Sequence, residues 1–313
     1  MKDETLIPIA YDNDGNIVTV KDAVRCQQYV CPDCGGRLMF RNSGKTGPGH
    51  RRPHFAHIDT GEHHCTGESV LHATFKHKSA ELFRSLIAEG KPFPLEWTCS
   101  SCGAKHKGNL LYKVRSVEEE YRLGDCIPDV ALLDAEGNTV VAFEVVVTHA
   151  PDEQVLTYYK THGIVLFRVD LDLEKTEEQL VDIEGTIKKF GTISFCRNRQ
   201  CKEYNPAASP VSIQFVPRIC RQCNKQYKRA EVLLDSPFGV FYIPDLNSEE
   251  VATASSLIRN DRCYDTTGQL FGRKVHTIRT ACGCEIQKSK PRSRYPEYYY
   301  DPKKGRFMRR RRL

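Results

Sequence analysis

The stretch Ala142–His149, AFEVVVTH, decides how the chain is read. A run of Val and Phe with no turn residue predicts a buried strand, because β-branched and aromatic side chains pack well on a pleated surface. One carboxylate, Glu144, sits inside it. An unpaired buried carboxylate is costly enough that it shifts its pKa, finds a cation or coordinates a metal. Working outward, Ala135-Glu136-Gly137-Asn138 predicts a hairpin turn joining IPDVALLD (127–134) to NTVVAFEVVVT (138–148). NLLYKVRS (109–116) is a third strand-like segment. PDEQVLTYYKTHG (151–163) predicts a short helix and IVLFRVDL (164–171) a further strand. Ahead of all of these, Glu68 to Glu89 predicts a helix, with Leu71, Phe75, Leu82 and Leu86 at helical spacing and Gly90 and Pro92 as the stop. Helix, three strands, helix, strand predicts an α+β fold with a mixed sheet between helices.

Asp129 opens the second strand just after Pro128, and Glu144 lies in its antiparallel neighbour. Two carboxylates on adjacent strands can converge on one Mg²⁺ or Mn²⁺, which prefers hard oxygen ligands and keeps waters for chemistry. Such an ion can activate water against a phosphodiester. The plainer alternative makes Asp129 a strand-start cap and pairs Glu144 with a buried Arg or Lys. Glu68, His72 and Lys76 recur every fourth residue, each about 40° further round the helix, and form one stripe at the edge of its apolar face.

The 313 residues carry a formal net charge of +6 and fourteen cysteines. From Lys288 to Leu313, eleven Lys/Arg against Glu297 and Asp301 make the tail +9, leaving the rest at about −3. Arg and Lys interleaved with Tyr and Phe suit phosphate neutralisation and base stacking, although a solubilising tail has the same composition. No window approaches the length of a membrane span and the first residues have no apolar leader pattern, so a cytoplasmic protein is expected. In a reducing compartment, cysteines in CxxC-like pairs argue for zinc rather than disulfides. CPDCGG, HFAH and Cys65 offer Cys31, Cys34, His57 and Cys65 as a tetrahedral set, with His54 the alternative to His57. Further on, Cys99/Cys102 with Cys196/Cys201, and Cys220/Cys223 with Cys282/Cys284, are the favoured sets, which would bring the total to about three zinc ions. A competing scheme joins Cys196/Cys201 to Cys220/Cys223 and groups Cys263, His276, Cys282 and Cys284. Cys26 and Cys126 read as core cysteines. DLNSEEVATASSLIRN (245–260) predicts a helix capped by Ser248 or Asn247.

The arrangement Pro128-Asp129, then Glu144 in a strand, within αβββαβ, resembles the restriction-endonuclease-like PD-(D/E)XK nuclease fold. Gln154 and Tyr158 in QVLTY are similar to the Gln-x-x-x-Tyr pair of its RecB-like branch. CPDCGGRL, HFAH, Cys65 and ESVLHATFK together resemble the competence-protein CoiA-like family. That resemblance spans residues 5–170. It implies a zinc domain at 1–66 and a nuclease-like domain at 67–190, while the paired cysteines beyond it predict a cysteine-rich zinc-ribbon-like domain at 191–286, followed by the basic tail at 287–313. It also implies metal-dependent cleavage of single- or double-stranded DNA, incoming or foreign, with a protein partner in uptake or phage defence. Asp129 and Glu144 would hold the metal, Glu68 would add a third carboxylate, and Gln154 and Tyr158 would position the substrate backbone. The sequence departs from the family at the lysine of Glu-x-Lys, where Val146 stands. Residues i and i+2 share a strand face, so the cation must come from elsewhere, with Lys76 and His149 the candidates. The competing class is an inactive nuclease fold kept as a DNA-binding or protein-docking module.

Overall fold

Asp12 closes the first hairpin. Its Oδ1 accepts from the amides of Asp14 and Asn16 at 2.9 and 2.8 Å, and Gly15 takes φ +80° to complete the turn. The hairpin joins β1 (Ile9–Tyr11) to β2 (Ile17–Thr19). With β3 (Gln28–Val30), β4 (Arg37–Arg41) and β5 (His54–His57) these form an antiparallel sheet in the order β2-β1-β3-β4-β5. Ile9, Tyr29, Leu38 and Phe55 fill its buried face.

The computed structural model describes residues 6–42, 52–58, 63–220, 224–257, 263–270, 273–280, 298–301 and 306–309. They fall into two units, Met1–Ser212 with Leu233–Tyr242 and Ile213–Val232 with Ile243–Leu313. The boundary expected after residue 190 lies inside the first unit, because Cys196 and Cys201 belong to a cluster within it.

The central part of the first unit begins with α1 (Gly67–Ala88). Thr66 and Ser69 cap it reciprocally, Ser69 N–H on Thr66 Oγ1 at 3.1 Å and Thr66 N–H on Ser69 Oγ at 3.0 Å. Its buried stripe is Val70, Leu71, Phe75, Ala80 and Phe83, with Leu82 and Leu86 at the margin. A hairpin of β6 (Pro94–Thr98) and β7 (Lys105–Asn109) follows. Then come β8 (Ser116–Glu119), β9 (Val130–Leu133), β10 (Thr139–Val146), α2 (Glu153–Thr161) and β11 (Val165–Asp170). Next are α3 (Thr176–Val181), α4 (Ile183–Phe190) and β12 (Gly191–Ile193). The sheet order is β12-β11-β10-β9-β8, with β10 and β11 parallel and the other pairs antiparallel. The fold is thus α+β, as expected. One strand is displaced: within 109–116, residues 110–115 turn rather than extend, and the pairing starts at Ser116. Leu110, Leu111 and Val114 are apolar because they cover the core, which mimics a strand pattern in sequence.

Alternation along β10 gives the sheet two different faces. Val141, Phe143 and Val145 join the large core shared with α1, whereas Ala142 packs with Cys126, Tyr159, Ile164 and Leu166 beneath α2. Cys126 is a core cysteine, but Cys26 is not. It is exposed in a turn at φ +64°.

The strands β13 (Val211–Ile219), β14 (Gln226–Ser236) and β15 (Gly239–Ile243), the last almost wholly in the first unit, are followed in the second by α5 (Ser248–Leu257), β16 (Cys263–Leu270) and β17 (Arg273–Thr280). Both β13 and β14 run from one unit into the other. The sheet order is β13-β14-β17-β16, with β15 on β14. Asn247 is the α5 cap, its Oδ1 accepting from Glu250 N–H at 2.9 Å. Glu231 is fully buried, and Arg218 and Arg229 satisfy it. Of the basic tail, β18 (Tyr298–Asp301) and β19 (Arg306–Arg309) pair antiparallel, and the rest lies outside the described residues. Among the described residues no helix is long and apolar enough to cross a membrane.

Candidate functional site

Asp129 immediately precedes β9, one step beyond the Phe143–Val130 pair, and so falls opposite Glu144 on the neighbouring strand. Directly opposed residues of an antiparallel pair lie about 5 Å apart at Cβ, which would be repulsive for two bare carboxylates. The structure divides them by their partners. Asp129 Oδ2 accepts from the Val145 amide at 2.8 Å and from His72 Nε2 at 3.0 Å. Glu144, 8% exposed, accepts from the Tyr159 hydroxyl at 2.6 Å. Among the described residues neither an Arg nor a Lys pairs with it. Arg168, its register neighbour on β11, pairs with Asp170 instead.

Burial pushes the Glu144 carboxyl up from 4.5 to about 7; the Tyr159 hydroxyl offsets part of this and the Asp129 charge adds to it. The Tyr159 phenol is itself pushed far up by burial and by Glu144, so it stays a donor. For His72, burial acts downward, but the bond to Asp129 and its charge outweigh it and raise the pKa.

Because Glu144 is easier to protonate folded than unfolded, its contribution favours folding below about pH 4.5 and is lost as pH rises through about 7. Glu144→Gln is therefore expected to gain stability over the parent. The gain should grow by about 2 kcal/mol between pH 5 and pH 8. Urea unfolding at the two pH values, without added Mg²⁺, measures this. An equal difference at both would contradict it.

The α1 stripe does face this region. Beyond His72, Glu68 Oε1 accepts from the Thr148 hydroxyl and lies 3.5 Å from His149 Nδ1, whose side chain is 91% exposed. Lys76, only 13% exposed, reaches Glu120 at 2.5 Å. Val146 is buried. In QVLTYY, Gln154 is exposed, and Tyr158 stacks on His162 with ring centroids 4.0 Å apart. The tyrosine that reaches the carboxylates is Tyr159, which sequence reasoning missed. A helix that packs its next residue inward puts Tyr159, not Tyr158, over Ala142 and Glu144. Among the described residues, sets of three or more converging His, Cys, Asp or Glu donors occur only at two cysteine clusters. Glu68 thus makes no such set with Asp129 and Glu144.

The first cluster is Cys31, Cys34, His57 and Cys65, whose ligand atoms all lie within 4.8 Å of one another. The CxxC loop forms a knuckle in which Cys31 N–H bonds Gly36 O and Gly35 N–H bonds Cys31 O, with Gly35 at φ +70°. His57 and His54 sit three apart on β5 and so face opposite ways. His57 Nε2 approaches Cys34 Sγ at 3.3 Å, while His54 Nδ1 binds Arg52 O. His63, a residue the sequence reading passed over, stacks on His57 at 3.9 Å and lies 3.6 Å from Cys34 Sγ. Ser69 Oγ donates to Asp33 within the knuckle at 2.5 Å, so this cluster holds the start of α1, and with it Glu68 and His72, in place.

The second cluster is Cys99, Cys102, Cys196 and Cys201, again within 4.8 Å, the grouping that the favoured set gives Cys196/Cys201. Cys99 and Gly103 repeat the knuckle, with Gly103 at φ +68°. Trp97 Nε1 donates to Phe195 O at 2.9 Å and tightens the same junction. Burial pushes the Cys65 and Cys196 thiols well up, whereas the Ala104 amide lowers Cys102 to about 7. Crowded thiols of this kind ionise together only around a dication, and four such donors could hold zinc. A third loop has the same form. Cys220 N–H bonds Lys225 O and Asn224 N–H bonds Cys220 O, with Asn224 at φ +55° where the others have Gly. Its expected companions Cys223, Cys282 and Cys284 lie outside the described residues. No family model, curated protein or solved structure matches the chain.

Proposed function

We propose that the protein is a zinc-stabilised, Mg²⁺- or Mn²⁺-dependent deoxyribonuclease of PD-(D/E)XK type, similar to the CoiA-like proteins, acting on incoming or foreign DNA in the cytoplasm. The observation that carries the reading is the opposed pair Asp129 and Glu144, in which Glu144 has no cationic side-chain partner among the described residues and its carboxyl is pushed up to about 7. Hard oxygen donors held this way fit a divalent cation. Two hydrogen bonds, from the Val145 amide and His72, hold Asp129 at Oδ2. The chemistry supplied by a bound Mg²⁺ or Mn²⁺ is polarisation of a phosphoryl oxygen and acidification of a water. Tyr159 and the Val145 amide orient the two carboxylates, and Glu144 must give up its proton for binding. His72 holds Asp129 in place.

The positive charge that Val146 cannot supply is assigned to α1, where His72 touches Asp129 and Lys76 lies one turn on. Lys76→Ala is expected to lose about 10²-fold in cleavage with DNA affinity nearly unchanged, as for removal of one preorganised charge. His149→Ala should do less, since its side chain is solvent-exposed. The reverse ranking would move the cation to the end of β10. The reading as a whole is tested by incubating the full chain with linear and circular DNA in Mg²⁺, and in Ca²⁺ as comparison. Mg²⁺-dependent product supports it. Val146 favours a second reading, an inactive fold retained for binding, and DNA affinity without any cleavage would select that one.

A further inference from the structure

A groove of about 660 Å³ runs beside the edge strand β12. One wall is the outward face of the β6–β7 hairpin, where Lys105 stands opposite Thr98 and Lys107 opposite Glu96. The other is the end of α4, with Lys188 and Lys189, and the floor includes Leu166 and Arg168. Five cationic side chains thus line it against a single carboxylate, Glu96.

Three of the five have acidic neighbours: Lys107 bonds Glu96 at 2.5 Å, Lys188 bonds Glu184 at 2.6 Å, and Arg168 reaches Asp170 at 3.1 Å. Exposed pairs of this kind contribute little and yield readily to a stronger anion. Lys105 has no carboxylate partner among the described residues, and Lys189 has only the Phe190 ring, at 4.9 Å. The floor shares a strand pairing with the carboxylate pair. Arg168 is the register partner of Glu144 on the parallel strand, so both side chains leave the same face of the sheet. Trp97, the aromatic residue in the lining, is 7% exposed and offers no free ring for a base.

We propose that this groove seats the sugar–phosphate backbone of a nucleic-acid strand and leads it across Arg168 to Asp129 and Glu144. Cations without a stacking platform or a base-reading edge bind phosphates and not sequence, so the groove is sequence-independent. The inference rests on the nucleic-acid half of the proposed function and not on catalysis, and it is tested without cleavage. Full-length Asp129→Asn protein is titrated against fluorescein-labelled duplex and single-stranded DNA by anisotropy over a range of KCl concentrations. Lys105→Gln with Lys189→Gln, both exposed, should make the log–log salt slope shallower by about 2 and weaken unrelated sequences equally. The exposed pair Lys21→Gln with Lys91→Gln, away from the groove, should leave the slope unchanged. Absence of DNA binding, an unchanged slope in the groove variant, an equal shift in the control, or displacement of DNA by polyglutamate as readily as by DNA would overturn the proposal. Loss of Mg²⁺-dependent cleavage as a property of the parent chain would leave the groove standing, and loss of the groove effect would leave the nuclease reading standing.

Discussion

Cys196→Ser is expected to remove one zinc ion per chain and to lower the thermal midpoint by about 10–20 °C. Cys196 is fully buried and draws the segment after β12 onto the loop between β6 and β7. The cluster therefore ties residues 99–102 to residues 196–201, on either side of the central sheet in sequence. Structural zinc contributes about 10 kcal/mol or more of folding free energy in small domains. Losing even half of that shifts the midpoint of a domain of this size by about 2–4 °C per kcal/mol. Metal content by mass spectrometry and a calorimetric scan check the two parts together. An unchanged zinc content in the variant, or loss of zinc with the midpoint retained, would contradict a structural role.

Asp129→Asn is expected to reduce Mg²⁺-dependent cleavage by about 10²–10³-fold, the scale for removing one group that acts on transition-state charge. The amide is nearly isosteric and can still accept from the Val145 amide and His72, so the fold should survive. What it loses is charge, and with it the reason for a cation between β9 and β10. It also relieves Glu144 of a like charge, one of the causes of its raised pKa. The parent and variant are compared by initial rates on a labelled duplex, with unfolding midpoints to establish that both are folded. Equal rates would remove Asp129 from the site.

Much of this was legible from sequence where the signal is local. The span of α1, the β9–β10 hairpin and the α2–β11 succession each follow from periodicity or turn chemistry. The CxxCG spacing led to both described clusters, and the pairing of Cys99/Cys102 with Cys196/Cys201 holds across about a hundred residues. The difference between His54 and His57 was not legible, because spacing within a strand sets opposite faces but not which face meets the cysteines. Residues 110–115 misled because a loop that caps a core carries the same apolar residues as a strand. Tyr158 was preferred to Tyr159 because the motif names one position, whereas burial against Ala142 selects the other. The helices Thr176–Val181 and Ile183–Phe190 carry too few residues for a clear period. The basic groove could not be seen at all, since Lys105, Arg168 and Lys189 come together only through the sheet.

The proposed nuclease activity turns on a divalent cation held jointly by Asp129 and Glu144. Its most direct test is a Mn²⁺ titration followed by electron paramagnetic resonance, at pH 8 where Glu144 is ionised, on zinc-loaded parent, Asp129→Asn and Glu144→Gln proteins. The parent is expected to show a Mn²⁺ site that Mg²⁺ displaces and that is lost in both variants, with zinc content unchanged. Retention of that Mn²⁺ site in both variants would contradict it.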